Sequence, residues 1–113
     1  MRRDEATLLD VARAARLVEM FVEGMTKEAF LEDLKTQSSV VYQLLVIGEA
    51  VKRLSRAFRE EQGNIPWVLI AGMRDHLIHG YDLVDWDEVW KTAARDIPDL
   101  LVKIEPLLPG EDN

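Results

Sequence analysis

The chain has 113 residues, 48% of them hydrophobic, with no cysteine and a formal net charge of −7. This length and composition predict one globular domain and exclude both a disulfide framework and a thiolate metal site. The acidic balance argues against a broad basic surface for nucleic acid, but not against a small basic pocket in an acidic shell.

No apolar run approaches the roughly 18 residues that a membrane span needs. No apolar signal-peptide core follows the charged N-terminus either. We therefore expect a cytoplasmic protein that makes no contact with a membrane.

The first part of the chain is predicted to form a helix from about 4 to 23. Apolar residues recur there on one helical face, namely Leu8, Val11, Ala12, Ala15, Val18 and Val22. Gly24 is well placed to end this helix, because glycine adopts the left-handed conformation of a helix cap without strain. Thr26 can then cap the start of a second helix.

The second helical pattern continues to Leu54, with a break expected near 35–38. Gly48 lies inside this pattern, and a glycine within a helix costs about 1 kcal/mol relative to alanine. We therefore expect Gly48 to mark a close approach between two helices. The mostly polar residues 56–64 are predicted to form a connection.

Two more helices are predicted in the second half of the chain. One covers about 66–79, because proline suits the first turn of a helix and Gly80 can cap its end. The last helix begins near Asp85 or Asp87, and Pro98 should kink it. Since no strand-like alternation is present, we predict an all-α fold, an up-and-down bundle of four to five helices. The whole chain is one domain, with a core over about 4–106 and a short C-terminal tail.

The segment from Arg74 to Tyr81 concentrates chemically active side chains. It holds an arginine, a carboxylate (Asp75), a tyrosine and the only two histidines of the chain, His76 and His79. The arginine falls on the apolar stripe that the preceding helical residues predict, and a buried unpaired charge costs on the order of several kcal/mol. Arg74 therefore has a partner inside the fold, or its face opens into a cleft or a subunit interface.

Arg74 and His79 together suit the cleavage of RNA without a metal ion. A guanidinium recognises phosphate and stabilises the charge that develops on it, and an imidazole transfers protons near neutral pH. On a helix, Asp75 lies four residues before His79 and on the same face. Its carboxylate could accept a hydrogen bond from the His79 ring and fix the tautomer.

Structural roles are open for the same residues. Arg74 and Asp75 can form an ordinary ion pair on a bundle helix, and His76 suits a solvent or interface position. Tyr81 suits the core or its rim. Neither the Glu-x-x-His pattern of a di-iron bundle nor a Gly-rich phosphate loop is present, so we expect no metal site and no cofactor.

The spacing Arg74-x4-His79-x-Tyr81 resembles the Arg-x4-His-x-Tyr motif of HEPN-domain proteins, specifically the HepT-like ribonuclease toxins. Further segments are similar to that group in order and spacing, namely 35–37, 47–54, 65–67, 89–90 and 96–98. The resemblance covers roughly 4–106. Many members carry Asn directly after the Arg, where this chain has Asp75. Because a carboxylate beside an RNA phosphate is repulsive, only a supporting role is assigned to Asp75.

The resemblance implies an activity and its partners. Family members are all-helical homodimers that place the Arg and His at a cleft on the dimer seam. The resemblance implies that this chain is a metal-independent endoribonuclease toxin of a type II or VII-like toxin–antitoxin pair. Arg74 and His79 would be its catalytic residues, and RNA, not DNA, its substrate. It also implies a cognate minimal nucleotidyltransferase antitoxin, which in some systems transfers AMP to the motif tyrosine, here Tyr81.

A second function class fits the same resemblance. A non-catalytic HEPN module would bind a nucleotidyltransferase and help to present its substrate. The intact pair of Arg74 and His79 favours the ribonuclease, because a binding module has no need of both, whereas the acidic net charge favours the module. RNA cleavage by the isolated protein in EDTA separates the two.

Overall fold

The elements of the computed structural model, which describes residues 3–80 and 82–110, are nearly all helical, so the predicted all-α class is confirmed. In chain order they are α1 (Arg3–Val22), α2 (Lys27–Leu31), α3 (Leu34–Val51), α4 (Arg56–Glu61), α5 (Trp67–Ala71), α6 (Met73–Leu77), β1 (Ile78–Gly80), β2 (Leu83–Val84), α7 (Trp86–Lys91), a π-helical turn (Thr92–Asp96), α8 (Ile97–Ile104) and a 3-10 turn (Glu105–Leu107). Across the described residues, no helix has both the length and the apolarity that crossing a bilayer requires.

The two longest helices, α1 and α3, form the centre of the bundle and run antiparallel. Asp4, near the start of α1, accepts hydrogen bonds from the backbone N–H (2.8 Å) and the hydroxyl (2.6 Å) of Ser55, which lies just beyond the end of α3. Helix α8 packs on α1 from another side. The largest fully buried side chains of these three helices are Leu8, Val11, Val18, Val40, Leu44, Ile47, Val51, Ile97 and Ile104.

The ends of α1 and α2 follow the local sequence signals. Gly24 has a positive φ of 77° just beyond α1, as predicted for a left-handed stop. The Thr26 hydroxyl accepts a hydrogen bond from the N–H of Ala29 (3.1 Å), which confirms the predicted cap. The break before α3 was expected near 35–38 but lies earlier, because Asp33 caps α3 by accepting from the N–H of Thr36 (3.0 Å).

The polar stretch after α3 is not a plain connection, so that prediction is wrong. Ser55 caps α4 by accepting a hydrogen bond from the N–H of Phe58 (3.1 Å). An ion pair between Arg56 and Glu60 (3.0 Å) spans one turn of the same helix. A cap and good helix-forming residues therefore make a short helix out of a charged segment.

Gly48 marks a close helix–helix approach, as expected. A Cβ at this position would lie 3.2 Å from the carbonyl oxygen of Ile70, which belongs to α5. Because that neighbour is backbone, the contact sets how closely α5 can pack on α3. The missing side chain thus brings the segment that carries the motif against the centre of the bundle.

The predicted motif helix 66–79 is two short helices followed by a strand. The chain breaks at Gly72 between α5 and α6, and α6 ends at Leu77. Gly80 does not form a left-handed cap, because it lies in β1 and its φ is not positive. Strand β1 pairs with β2 in an antiparallel hairpin, and the N–H of Asp85 donates to the carbonyl of Leu77 (2.8 Å) where the hairpin meets α6.

The last helical run, 86–104, changes its hydrogen-bond pattern close to Pro98, where an interruption was predicted. The residues Thr92–Asp96 form a π-helical turn, and α8 then starts at Ile97. Proline has no N–H to donate, and its ring crowds the carbonyl four residues earlier. The wider turn accommodates both effects without ending the helix.

Candidate functional site

Helix α6 displays Arg74 on the surface rather than on the buried stripe. The break at Gly72 shifts the helical phase, so that Met73 (7% exposed) and Leu77 (1% exposed) face the core instead. Arg74 makes no hydrogen bond or ion pair with any other described residue. The prediction that Arg74 lies on the buried stripe is therefore wrong, because its side chain is exposed.

Helix α6, which carries Arg74, packs on α3, and the charge of Arg74 reaches Glu49 near the end of that helix. The Lys52 ammonium donates a hydrogen bond to the Glu49 carboxylate (2.9 Å). That bond, the charge of Lys52, and then the charges of Arg53 and Arg74 hold the pKa of the Glu49 carboxyl below its ordinary value. The charges that act on Glu49 thus come from two cations at the end of α3 and one on α6.

His79 occupies an irregular position in the hairpin. Ile78 pairs with Val84 and Gly80 pairs with Leu83, so one residue fewer stands on the opposite strand and the register shifts at His79. Such a bulge disrupts pairing locally and re-aims a side chain. The His79 side chain is exposed.

Asp75 and His79 do not share a helical face, because the helix ends between them. The hydrogen bond considered for this pair is not present in the described part of the chain. Asp75 is exposed on α6, directly after Arg74. Helix α6 ends at Leu77, and Ile78 already has extended backbone. The spacing of four residues between Asp75 and His79 therefore no longer places them on one face.

His76 points from α6 toward α7, away from Arg74. Its Nε2 lies 3.3 Å from a carboxylate oxygen of Glu88, and Lys91 lies 3.9 Å from the same oxygen. His76 is exposed, in line with the solvent or interface role considered for it. A cleft of about 420 Å³ opens on this side, with Met73, His76, Glu88, Ile97 and Leu100 among its walls. Neither Arg74 nor His79 lines it.

Tyr81, the modification candidate, lies outside the described residues. Over 3–80 and 82–110, no group of three or more His, Asp or Glu side chains is placed to hold a metal ion. The sequence did not reveal the cluster around Glu49, since its residues lie far from the motif in the chain. The only local signal was Gly48, which marks where α3 meets α5.

The arrangement suits the binding of a phosphodiester and the transfer of its neighbouring proton. An exposed guanidinium and an exposed imidazole stand on two consecutive elements, α6 and β1, that are joined without a loop. Two further cations, Lys52 and Arg53 at the end of α3, act on the same carboxyl as this guanidinium. An anionic ligand reaching Arg74 therefore meets net positive charge on a protein that is acidic overall.

Comparison with known proteins places this chain among ribonuclease-related sequences. The family model described as Ribonuclease HepT-like matches residues 11–107. A protein of Thermococcus cleftensis named probable ribonuclease HepT is 44% identical over 95% of this chain and 98% of its own length. A Caldanaerobacter subterraneus protein whose name proposes an RNase is 41% identical over 80% of both chains. A third relative, from Methanocaldococcus jannaschii and named in the same way, is 36% identical over 95% of this chain and 91% of its own. No solved structure gave a significant match.

Proposed function

This chain belongs to the HepT-like ribonuclease family, and on that premise we propose that it is an endoribonuclease that uses Arg74 and His79 and needs no metal ion. One observation carries the proposal. Both side chains are exposed on adjoining elements, and Arg74 has no hydrogen-bonded or ion-paired partner among the described residues that would give it a structural role.

The chemistry follows from the two side chains. The His79 imidazole accepts the proton of the RNA 2′-hydroxyl, and the resulting alkoxide attacks the adjacent phosphorus. Arg74 stabilises the charge added to the five-coordinate phosphorus. The bond to the 5′-oxygen then breaks, that oxygen takes a proton from solvent water, and His79 returns its own proton to the solvent. One product ends in a 2′,3′-cyclic phosphate and the other begins with a 5′-hydroxyl.

The working unit in this proposal is a homodimer whose seam includes the α5–α6 segment. Val68 and Leu69, on α5, are 82% and 75% exposed, although both are large and apolar. Adjacent exposed apolar side chains of this kind are typical of a protein interface. A seam there would leave Arg74 at the edge of a cleft between the two subunits.

The proposal extends to a toxin–antitoxin system of type II or a VII-like kind, acting in the cytoplasm, where its RNA substrate would be. The partner would be a minimal nucleotidyltransferase that transfers AMP to Tyr81. The support is the motif itself, in which Tyr81 follows His79 by two residues. An attached AMP would put a phosphodiester beside Arg74 and block RNA both by occupancy and by charge. In this proposal Asp75, which follows Arg74 in the sequence, has a supporting role.

A non-catalytic module that binds a nucleotidyltransferase is the second candidate function. The observation that favours it is the cleft of about 420 Å³ between the α5–α6 segment and the last helical run, which excludes Arg74 and His79. A partner seated there would leave those two side chains unused. The net charge of −7 also opposes RNA binding by the protein as a whole.

Incubation of the purified protein with single-stranded RNA in excess EDTA tests the proposal. We expect cleavage, with fragments that carry a cyclic phosphate. The His79→Ala protein, purified in parallel, controls for contaminating nucleases. Intact RNA in the wild-type reaction would favour the binding module, and equal cleavage by the variant would remove His79 from the mechanism.

A further inference from the structure

The end of α3 beside Arg74 carries two cations that the mechanism does not use. Lys52 holds the Glu49 carboxylate by a hydrogen bond of 2.9 Å. Arg53 makes no hydrogen bond or ion pair with another described residue, yet its charge acts on the same carboxyl, as does that of Arg74. One carboxylate is thus hydrogen-bonded to Lys52 and lies within electrostatic range of Arg53 and Arg74.

The backbone fixes this grouping. Gly48, directly before Glu49, allows α3 to approach the Ile70 carbonyl so closely that a Cβ would be 3.2 Å from it. Ile70 lies in α5, and α6 with Arg74 follows after Gly72. Helix α3 also packs directly on α6. The cations therefore come from two segments that are held together by a tight helix contact.

The local charge differs in sign from that of the whole protein. Three cations and one carboxylate leave the cluster with a net positive charge, on a chain whose formal net charge is −7. Arg53 also lines a groove of about 470 Å³ between α1 and α3. In the same groove, Arg13 is paired with Asp10 (3.2 Å) and adds no net charge.

A structural role explains only part of this arrangement. A cation near the C-terminus of a helix compensates the helix dipole, and Lys52 also pairs with Glu49. Neither reason requires Arg53, whose guanidinium is exposed and has no partner among the described residues. Arginine binds phosphate through a planar fork and lysine through a point charge, so the two complement each other as anion ligands.

We propose that Lys52 and Arg53 form a phosphate-binding subsite for RNA, which holds the strand next to the phosphate bound at Arg74. The subsite rests on the proposed ribonuclease function. Glu49 weakens RNA binding at this subsite. Its carboxylate is hydrogen-bonded to Lys52 when RNA is absent, and it repels the phosphate when RNA binds.

The test is the salt dependence of RNA binding, measured by fluorescence anisotropy with a labelled single-stranded RNA. The protein carries His79→Ala throughout, so that the RNA stays intact. Removing the cation that neutralises one phosphate should reduce the slope of log affinity against log salt by about 0.7. The pair Lys52→Gln/Arg53→Gln should therefore lower that slope by about 1.4. Glu49→Gln should instead tighten binding.

The matched control is Arg16→Gln/Lys35→Gln, which removes the same charge. Lys35 lies at the other end of α3, about 25 Å from Lys52 by helical rise. The control should keep the parent slope. An unchanged slope in the Lys52/Arg53 variant, or an equal reduction in both variants, overturns the subsite. If the parent protein fails to bind RNA at all, the ribonuclease proposal fails first and the subsite with it.

Discussion

Asp4 and Ser55 clamp the start of the first helix to the turn after α3. One Asp4 carboxylate oxygen accepts from the Ser55 N–H (2.8 Å) and the other from its hydroxyl (2.6 Å). The same hydroxyl accepts a hydrogen bond from the N–H of Phe58 (3.1 Å) at the start of α4. Ser55 thus connects three segments with one side chain.

We expect Ser55→Ala to lower the free energy of unfolding by about 1–2 kcal/mol, because it removes a helix cap and a second hydrogen bond. Chemical denaturation monitored by circular dichroism measures this. Ser39→Ala is the control, because its hydroxyl binds only a carbonyl of its own helix (2.9 Å). Equal losses of stability in the two variants would mean that the clamp contributes nothing.

Arg74→Ala and His79→Ala should each abolish RNA cleavage and leave the bundle folded. Both side chains are exposed, and surface substitutions usually change stability by less than about 0.5 kcal/mol. Single-turnover cleavage and thermal melts give the two readouts. Lys35→Ala serves as a control for the loss of a cation. A variant that cleaves at the wild-type rate would disprove the assignment, and unfolding of both variants would point to a structural pair.

Leu69→Lys should convert the proposed dimer to a monomer without unfolding it. The side chain is 75% exposed in the subunit, so a lysine there meets solvent in the monomer but would be buried in the seam. Sedimentation velocity at micromolar concentration distinguishes the two states. Val102→Lys is the matched control, because Val102 is 71% exposed on α8 and, unlike Leu69, does not line the 420 Å³ cleft. A wild-type monomer would rule out the seam.

A cognate nucleotidyltransferase, supplied with ATP and magnesium, should add AMP to Tyr81 and silence the ribonuclease. Mass spectrometry of the intact protein and of its peptides locates the added group. Tyr81→Phe should resist silencing, and Tyr42→Phe controls for modification of the other tyrosine. Full inhibition with an unmodified Tyr81 would show that the partner acts by binding alone.

The cap of α3 should make stability depend on pH through Asp33. Its hydrogen bond from the Thr36 N–H lowers the pKa of the Asp33 carboxyl from the usual 3.8. A lowered pKa in the folded state adds stability above pH 3.8, which is lost as the pH falls through the folded value. Asp33→Asn keeps a capping oxygen without a charge, so its thermal midpoint should fall less on acidification. Parallel curves for the two proteins would contradict this.

Local signals in the sequence were enough to locate several features of the fold. Gly24 ends α1 and Thr26 caps α2, because each acts through its own backbone or side chain. Gly48 indicated a helix contact, although not its partner. The interruption near Pro98 likewise follows from the geometry of proline, which is independent of the rest of the fold.

The hairpin and the cluster around Glu49 could not be predicted in the same way. Strands of three and two residues are too short to show an alternating pattern, so the apolar residues up to Ile78 suggested a continuing helix. Glu49 and Arg74 are brought together by the packing of α3 on α5 and α6, which a spacing rule along the chain cannot express. The order of Arg74 and His79 along the chain is evident from the sequence, but their relative position in space could not be predicted from it.

The contact of Gly48 with the Ile70 carbonyl also has a consequence for how such chains can diverge in length. It joins α3 and α5 directly, so the segment between them, which includes α4, does not have to hold them in place. Gly63 and Asn64, both exposed, form part of the turn between α4 and α5. Doubling the length of a flexible loop raises the entropic cost of closing it by only about 0.6 kcal/mol. We therefore expect homologues and engineered versions to accept inserted residues, or even a fused peptide tag, at 63–64 while Arg74 stays in register with Glu49.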